Sequence, residues 1–182
     1  MRPETIFLDR DGVINRRLPD DYVKSWAEFE FLPRAKEALR LFAEAGLRLV
    51  IVTNQRGVAR GLMTEADLRE IHERMLAELA AAGARVTAIY YCPHDSGQCF
   101  CRKPQPGLLL RARQDFPEID FARSVMIGDS PADLEAGRRA GCRTFFITGD
   151  PEEVADAGSG GLATDGAAPS LFEAAIHYLK QG

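Results

Sequence analysis

Hydrophobic positions along the chain follow two rhythms: short unbroken apolar runs, and longer stretches with apolar residues at helical spacing. Thr5-Ile6-Phe7-Leu8 is an unbroken run that stops at charged residues, as a strand buried on both faces does. Segment 33–45 places Ala35, Ala38, Leu39 and Phe42 on one helical face, and Gly46 closes it. A second run, 47–52, is interrupted only by Arg48. Thr64 then opens a helix as its N-cap, with Asp67 three residues on approximating a capping box, and this helix runs to about residue 82. Strands are predicted at 86–91, 124–127 and Arg143–Ile147, and helices at 106–114, Pro131–Ala140 and 170–179. Only 155–168 has loop composition. Strands alternating with helices predict an α/β fold, a three-layer α/β/α Rossmann-like parallel sheet with right-handed crossovers.

Composition narrows the class. With 182 residues, 46% of them hydrophobic, the chain 1–182 is expected to form one domain with its own core. A net charge of -4 excludes a broad basic footprint and makes nucleic acid a poor partner. No apolar run approaches the roughly 18 residues of a membrane span, and the amino terminus lacks the regions of a secretory leader. A cytoplasmic location away from the membrane is expected.

Four predicted strand ends carry polar groups: Asp9 and Asp11; Thr53, Asn54 and Gln55; the cysteine loop with Arg102 and Lys103; and Gly128-Asp129-Ser130. In a parallel sheet all four lie on the carboxyl edge, where α/β folds bind ligands. Side chains two apart on a strand point the same way, so Asp9 and Asp11 converge on one small volume. The edge offers carboxylates for a cation and hydroxyl, amide and lysine donors for an anion, as phosphoryl transfer requires. Mg²⁺ suits such oxygen ligands. Taken singly, each motif has a plainer reading: a turn for Asp9 and Asp11, helix caps for Thr53 and Asn54, a surface lysine for Lys103, and a dipole-favoured helix start for Asp133. Their order and spacing together favour chemistry.

Cys92, His94, Cys99 and Cys101 lie within ten residues and make a complete Cys₃His set for structural zinc. Clustered thiols in a cytosolic chain favour metal over disulfide. Four protein ligands leave no open position for catalysis. The loop's expected task is to fix Arg102 and Lys103. Cys142 reads as a small buried residue, and His72 and His177 as solvated or capping residues on helices. Tyr22, Trp26 and Phe29 are expected to pack the loop after the first strand.

The motifs Asp9-Arg10-Asp11-Gly12, Thr53-Asn54, Lys103 and Gly128-Asp129 with Asp133 resemble those of the haloacid dehalogenase superfamily of phosphatases over essentially the whole chain. The resemblance implies Asp9 as nucleophile, Asp11 as general acid then base, and Thr53 and Lys103 as holders of the phosphoryl oxygens. It also implies Mg²⁺ on Asp9, Asp129 and the Asp11 backbone carbonyl, with Asp133 in support. The zinc loop, Cys101-Arg102-Lys103-Pro104 and the 54–61 run narrow it to the D-glycero-D-manno-heptose 1,7-bisphosphate 7-phosphatases, which act during synthesis of nucleotide-activated heptose for cell-surface glycans. On that resemblance Arg102, Asn54, Gln55, Arg56 and the 17–22 loop face the substrate, a small phosphorylated sugar, and Arg60 is a candidate for the distal phosphate.

No long insertion provides a large cap domain, so small loops must set specificity, and a monomer is expected. Val13, Arg56 and Ser130 depart from the usual pattern. Ser130 stands where a cation is common, and Arg56 is the candidate to restore that charge. Histidinol-phosphate phosphatase, from a related branch, is the alternative activity, with Asp20 or Asp21 as the acidic group for a substrate amine. A catalytically silent zinc-stapled binding module is the alternative of a different class, and an intact Asp9 with all its partners weighs against it.

Overall fold

In a computed structural model, residues 3–154 and 164–180 are described. Six parallel strands form one sheet: β1 (Thr5–Leu8), β2 (Arg48–Asn54), β3 (Ala88–Cys92), β4 (Ser124–Gly128), β5 (Arg143–Ile147) and β6 (Ala167–Ala168). Their order is β3-β2-β1-β4-β5-β6. β1 is central because both its faces are apolar. Ile6 and Leu8 pack on one side and Phe7 on the other, and all four residues pair with β2 and β4.

Helices cover both faces. α1 (Ala35–Glu44), α2 (Glu65–Ala81) and α5 (Leu171–Lys180) pack on Ile6, Leu8, Leu49 and Ile51, while α3 (Gly107–Asp115) and α4 (Pro131–Ala140) pack on Phe7, Val50, Val52 and Met126. Burying such a side chain contributes about 1.5–3 kcal/mol, which favours this strand register over a one-residue slip that would exchange the faces. The result is the three-layer α/β/α sheet expected, without a large cap among the described residues. The strand order reverses at β1, and a crevice opens beyond the carboxyl ends of β1 and its neighbours.

Boundaries moved where polar residues continue an element. β2 extends through Thr53 and Asn54, and β3 starts at Ala88 and takes in Cys92. The expected loop 155–168 ends instead in β6, which pairs with β5 through Ala167 and Ala168; 155–163 lie outside the described residues. Trp26 stacks on Phe29 at 4.9 Å between centroids and meets Phe31 edge-on, closing the segment after β1, while Tyr22 turns to the crevice instead.

Candidate functional site

β1 delivers Asp9 to the floor of a cavity of about 480 Å³. The chain then turns sharply through Gly12 at φ +89°, where a Cβ would stand 1.9 Å from an Asp129 carboxylate oxygen, so glycine is required both for the backbone and for the approach of Asp129. The turn is closed by Gly12 N–H donating to the Asn15 carbonyl at 2.7 Å.

Lys103 is the hub of the floor. It is 3% exposed, and its Nζ lies 2.7 Å from Asp9 Oδ1, 2.6 Å from Asp133 Oδ1 and 2.7 Å from the Val52 carbonyl. Asp133 turns its other oxygen to the start of α4, accepting from Ser130 N–H at 3.1 Å and Oγ–H at 2.6 Å. The helix-start reading of Asp133 and the floor reading therefore both apply, one to each oxygen. Gly128 makes room, since a Cβ there would stand 2.2 Å from that of Asp133. Removing one partner of a buried ion pair costs about 3–5 kcal/mol, so these three side chains hold one another in place.

The two aspartates of β1 sit in opposite environments. Burial, then the charges of Asp133, Asp129 and Asp11, push Asp9 up to about 7 despite Lys103. Burial acts on Asp11 too, but it is outweighed by the Arg10 guanidinium and by hydrogen bonds from Arg10, Asn15 and Gln55, which hold this carboxyl below its usual range. Arg10 Nη2 and Asn15 Nδ2 donate to Oδ1 at 3.0 and 2.9 Å, and Gln55 Nε2 donates to Oδ2 at 2.9 Å. Asp129 is pushed up to about 6 by burial and by Asp133, against the pull of Arg17 and Lys103. A floor with Asp9, Asp129 and Asp133 oxygens all within 4.8 Å of one another carries more negative charge than Lys103 neutralises. The donor set is all oxygen, which fits Mg²⁺.

Cys92 from β3 and the loop after it form the second cluster. The Sγ atoms of Cys92, Cys99 and Cys101 lie 3.2–3.4 Å apart, too far for a disulfide, and His94 Nδ1 is 3.6 Å from Cys92 Sγ and 3.4 Å from Cys101 Sγ. One ligand atom from each converges within 4.8 Å, the set that a tetrahedral zinc takes. This loop is tied to the floor. Asn54 donates from Nδ2 to the Lys103 carbonyl and accepts the Lys103 N–H at Oδ1, both at 3.1 Å.

The rim brings together Arg17, Asp20, Asp21, Tyr22, Arg60 and Arg102. Two expected site residues stand apart from the cavity wall. Thr53 is 1% exposed behind Gln55, whose Nε2 it accepts at 2.9 Å. Arg56 is a correction to the expected substrate contact: it is ion-paired to Asp95 of the cysteine loop, which holds its guanidinium beside Tyr22 rather than in the cavity. Arg17 is the cation on the Ser130 side, 3.5 Å from Asp129 Oδ2.

The expectation for His72 is also corrected. It is buried on α2, and its Nε2 lies 3.1 Å from Nη1 of Arg10, itself fully buried. His72 shares the packed face of α2 with Leu68, Ile71, Met75 and Leu79, a spacing that marks it as inward-facing.

Residues 100–174 match the HAD-hydrolase-like family. The chain is 41% identical over 177 residues to D-glycero-alpha-D-manno-heptose-1,7-bisphosphate 7-phosphatase of Mycobacterium bovis, covering 94% of this chain and 89% of that one. It is 43% identical over 156 residues to the D-glycero-beta-D-manno-heptose-1,7-bisphosphate 7-phosphatase of Escherichia coli K12, covering 80% of each. The solved D,D-heptose 1,7-bisphosphate phosphatase of B. bronchiseptica, complexed with magnesium and phosphate, superposes with a TM-score of 0.87 at 34% identity, covering 98% of this chain and 99% of that one. On this similarity the chain belongs to the heptose-1,7-bisphosphate 7-phosphatase family of the haloacid dehalogenase superfamily.

Proposed function

We propose that this chain removes the 7-phosphate of D-glycero-D-manno-heptose 1,7-bisphosphate in the synthesis of nucleotide-activated heptose. The observation that carries the reading is the cavity itself: a buried carboxylate–lysine floor suited to one phosphoryl group beneath a rim that bears Arg60 and Arg102 for a second. Asp9 attacks phosphorus, the bond to the 7-oxygen breaks, and the leaving oxygen takes a proton from Asp11. The aspartyl-phosphate so formed is then attacked by water, whose proton passes to Asp11, and phosphate leaves with Asp9 regenerated. Lys103 holds phosphoryl oxygens directly, and Thr53 contributes through Gln55, whose amide its hydroxyl accepts from behind. Asn54 and Gln55 shape the wall, Arg102, Arg60 and Tyr22 bind the sugar and its distal phosphate, and Asp20 and Asp21 take its hydroxyls. The resting carboxylate of Asp11 suits the base half, and the negative charge of an arriving phosphoryl group raises its proton affinity for the acid half.

Mg²⁺ on Asp9, Asp129 and the Asp11 carbonyl, with Asp133 beside them, would neutralise charge that builds on the phosphoryl oxygens. Zn²⁺ on Cys92, His94, Cys99 and Cys101 would fix the loop that ends in Arg102 and Lys103, with all four positions filled by protein. Both metals are read from donor sets that fit them.

The named relatives divide between the alpha and beta anomers, so the test is phosphate release with Mg²⁺ from each anomer beside histidinol phosphate at equal concentration. The expected result is a preference of at least about a hundredfold in kcat/KM for one heptose anomer over histidinol phosphate, about 2.7 kcal/mol of discrimination. A preference for histidinol phosphate would overturn the substrate assignment.

A further inference from the structure

Arg10 is the largest fully buried side chain among the described residues. A guanidinium cannot shed its charge and costs several kcal/mol to bury unless paired, so its partners show what it is for. Nη2 donates to Asp11 Oδ1 at 3.0 Å and Nη1 meets His72 Nε2 at 3.1 Å, while Nε has no hydrogen-bond partner among the described residues. Arginine only donates, so His72 must accept at Nε2 and carry its proton on Nδ1. Burial, reinforced by the Arg10 charge, lowers His72 to about 3, which keeps the ring a neutral acceptor across the working pH range. The ring is held by α2, whose buried face includes Leu68, Ile71 and Met75. The remaining donors to Asp11, Asn15 and Gln55, come from the loops after β1 and β2.

We propose that His72 is a positioning residue for proton transfer at Asp11, fixing the fork of Arg10 so that the fork fixes the plane of the Asp11 carboxylate. The proposal rests on the reading of Asp11 as the group that protonates the leaving oxygen. His72 does not line the cavity, so its influence on the reaction passes through Arg10. An alkyl leaving group such as a sugar hydroxyl needs that proton, whereas p-nitrophenolate leaves without it.

His72→Leu and His72→Gln have similar volumes, but only glutamine offers an oxygen to Arg10. Both are compared with the unmodified protein on heptose bisphosphate and on p-nitrophenyl phosphate, with Mg²⁺, after a melting curve for each; His72→Met replaces the leucine variant if that one does not fold. His72→Leu is expected to lower kcat/KM on the sugar, which reports formation of the aspartyl-phosphate and so leaves out the hydrolysis step that both substrates share, by about tenfold or more, part of the roughly 10²–10⁴ that general acid catalysis supplies. On p-nitrophenyl phosphate the loss is expected to stay within about threefold, and His72→Gln is expected to recover most of the sugar activity. Equal losses on the two substrates, no loss on the sugar, or a glutamine variant as impaired as the leucine one would each overturn the proposal. An unmodified protein that hydrolyses histidinol phosphate but not heptose bisphosphate would overturn the substrate reading alone, and the leaving-group comparison then runs with histidinol phosphate as the alkyl ester.

Discussion

The floor and the rim of the cavity are built to different standards. Lys103 and Asp133 on the floor are 3% and 1% exposed, Arg10, which holds Asp11 from outside the cavity, is 0% exposed, and each makes at least two charged or hydrogen-bonded contacts. At the rim, the Arg17 side chain is 64% exposed with a 3.5 Å contact to Asp129, and Asp20, Asp21 and Arg60 are exposed as well. Low-dielectric surroundings strengthen every interaction of the floor and fix its geometry, which is what a transition state needs. Exposed ion pairs are worth only about 0–1 kcal/mol, so rim side chains are free to rearrange around a ligand. Chemistry is thus assigned to the rigid level and selection to the adaptable one.

Breaking the floor should cost turnover. The cysteine loop supports it from outside, because Cys101 is followed directly by Arg102 and Lys103, and Lys103 is clasped by Asn54. With zinc on the Cys92, His94, Cys99 and Cys101 set, as proposed, stripping it with a chelator that spares magnesium is expected to lower kcat by about a hundredfold and to be reversed by added zinc, since a misplacement of about 1 Å is enough for a loss of that size. Steady-state kinetics with metal analysis on the same samples checks this, and full activity in a zinc-free sample would detach the loop from the floor.

Perturbing the rim should cost binding. Arg102→Ala and Arg60→Ala are each expected to raise KM for the bisphosphate by about tenfold, the equivalent of about 1.4 kcal/mol for one charge-assisted contact, while kcat stays within about twofold. Both variants should behave as the unmodified protein on p-nitrophenyl phosphate, which has no distal phosphate to lose. A kcat loss with unchanged KM would place either arginine with the chemistry instead.

The layering of the fold was legible because strands buried on both faces leave unbroken apolar runs, as in 5–8 and 47–52. β6 was not, since two alanines are too short to show a period. The strand-end motifs placed Asp9, Asp11, Lys103 and Asp129 at one cavity because a parallel sheet puts all carboxyl ends on one edge. Arg10 has no role of its own in the motif it belongs to and His72 reads as solvated or capping, because their residue types suit solvent and only their partners explain their burial. The packed spacing of His72 with Leu68, Ile71 and Met75 was the available signal. Arg56 shows the reverse case: a cation well placed in sequence is claimed by Asp95 from the next crossover, a pairing that no local pattern reveals.

The central claim is that the phosphoryl group passes through Asp9. The most direct measurement is an acid quench during turnover, followed by borohydride reduction and peptide mass spectrometry. Homoserine at position 9 in the unmodified protein, and none in Asp9→Asn together with a loss of activity of at least about a thousandfold, is the predicted result. Steady phosphate release with no modification at position 9, or with the modification on another carboxylate, would contradict it.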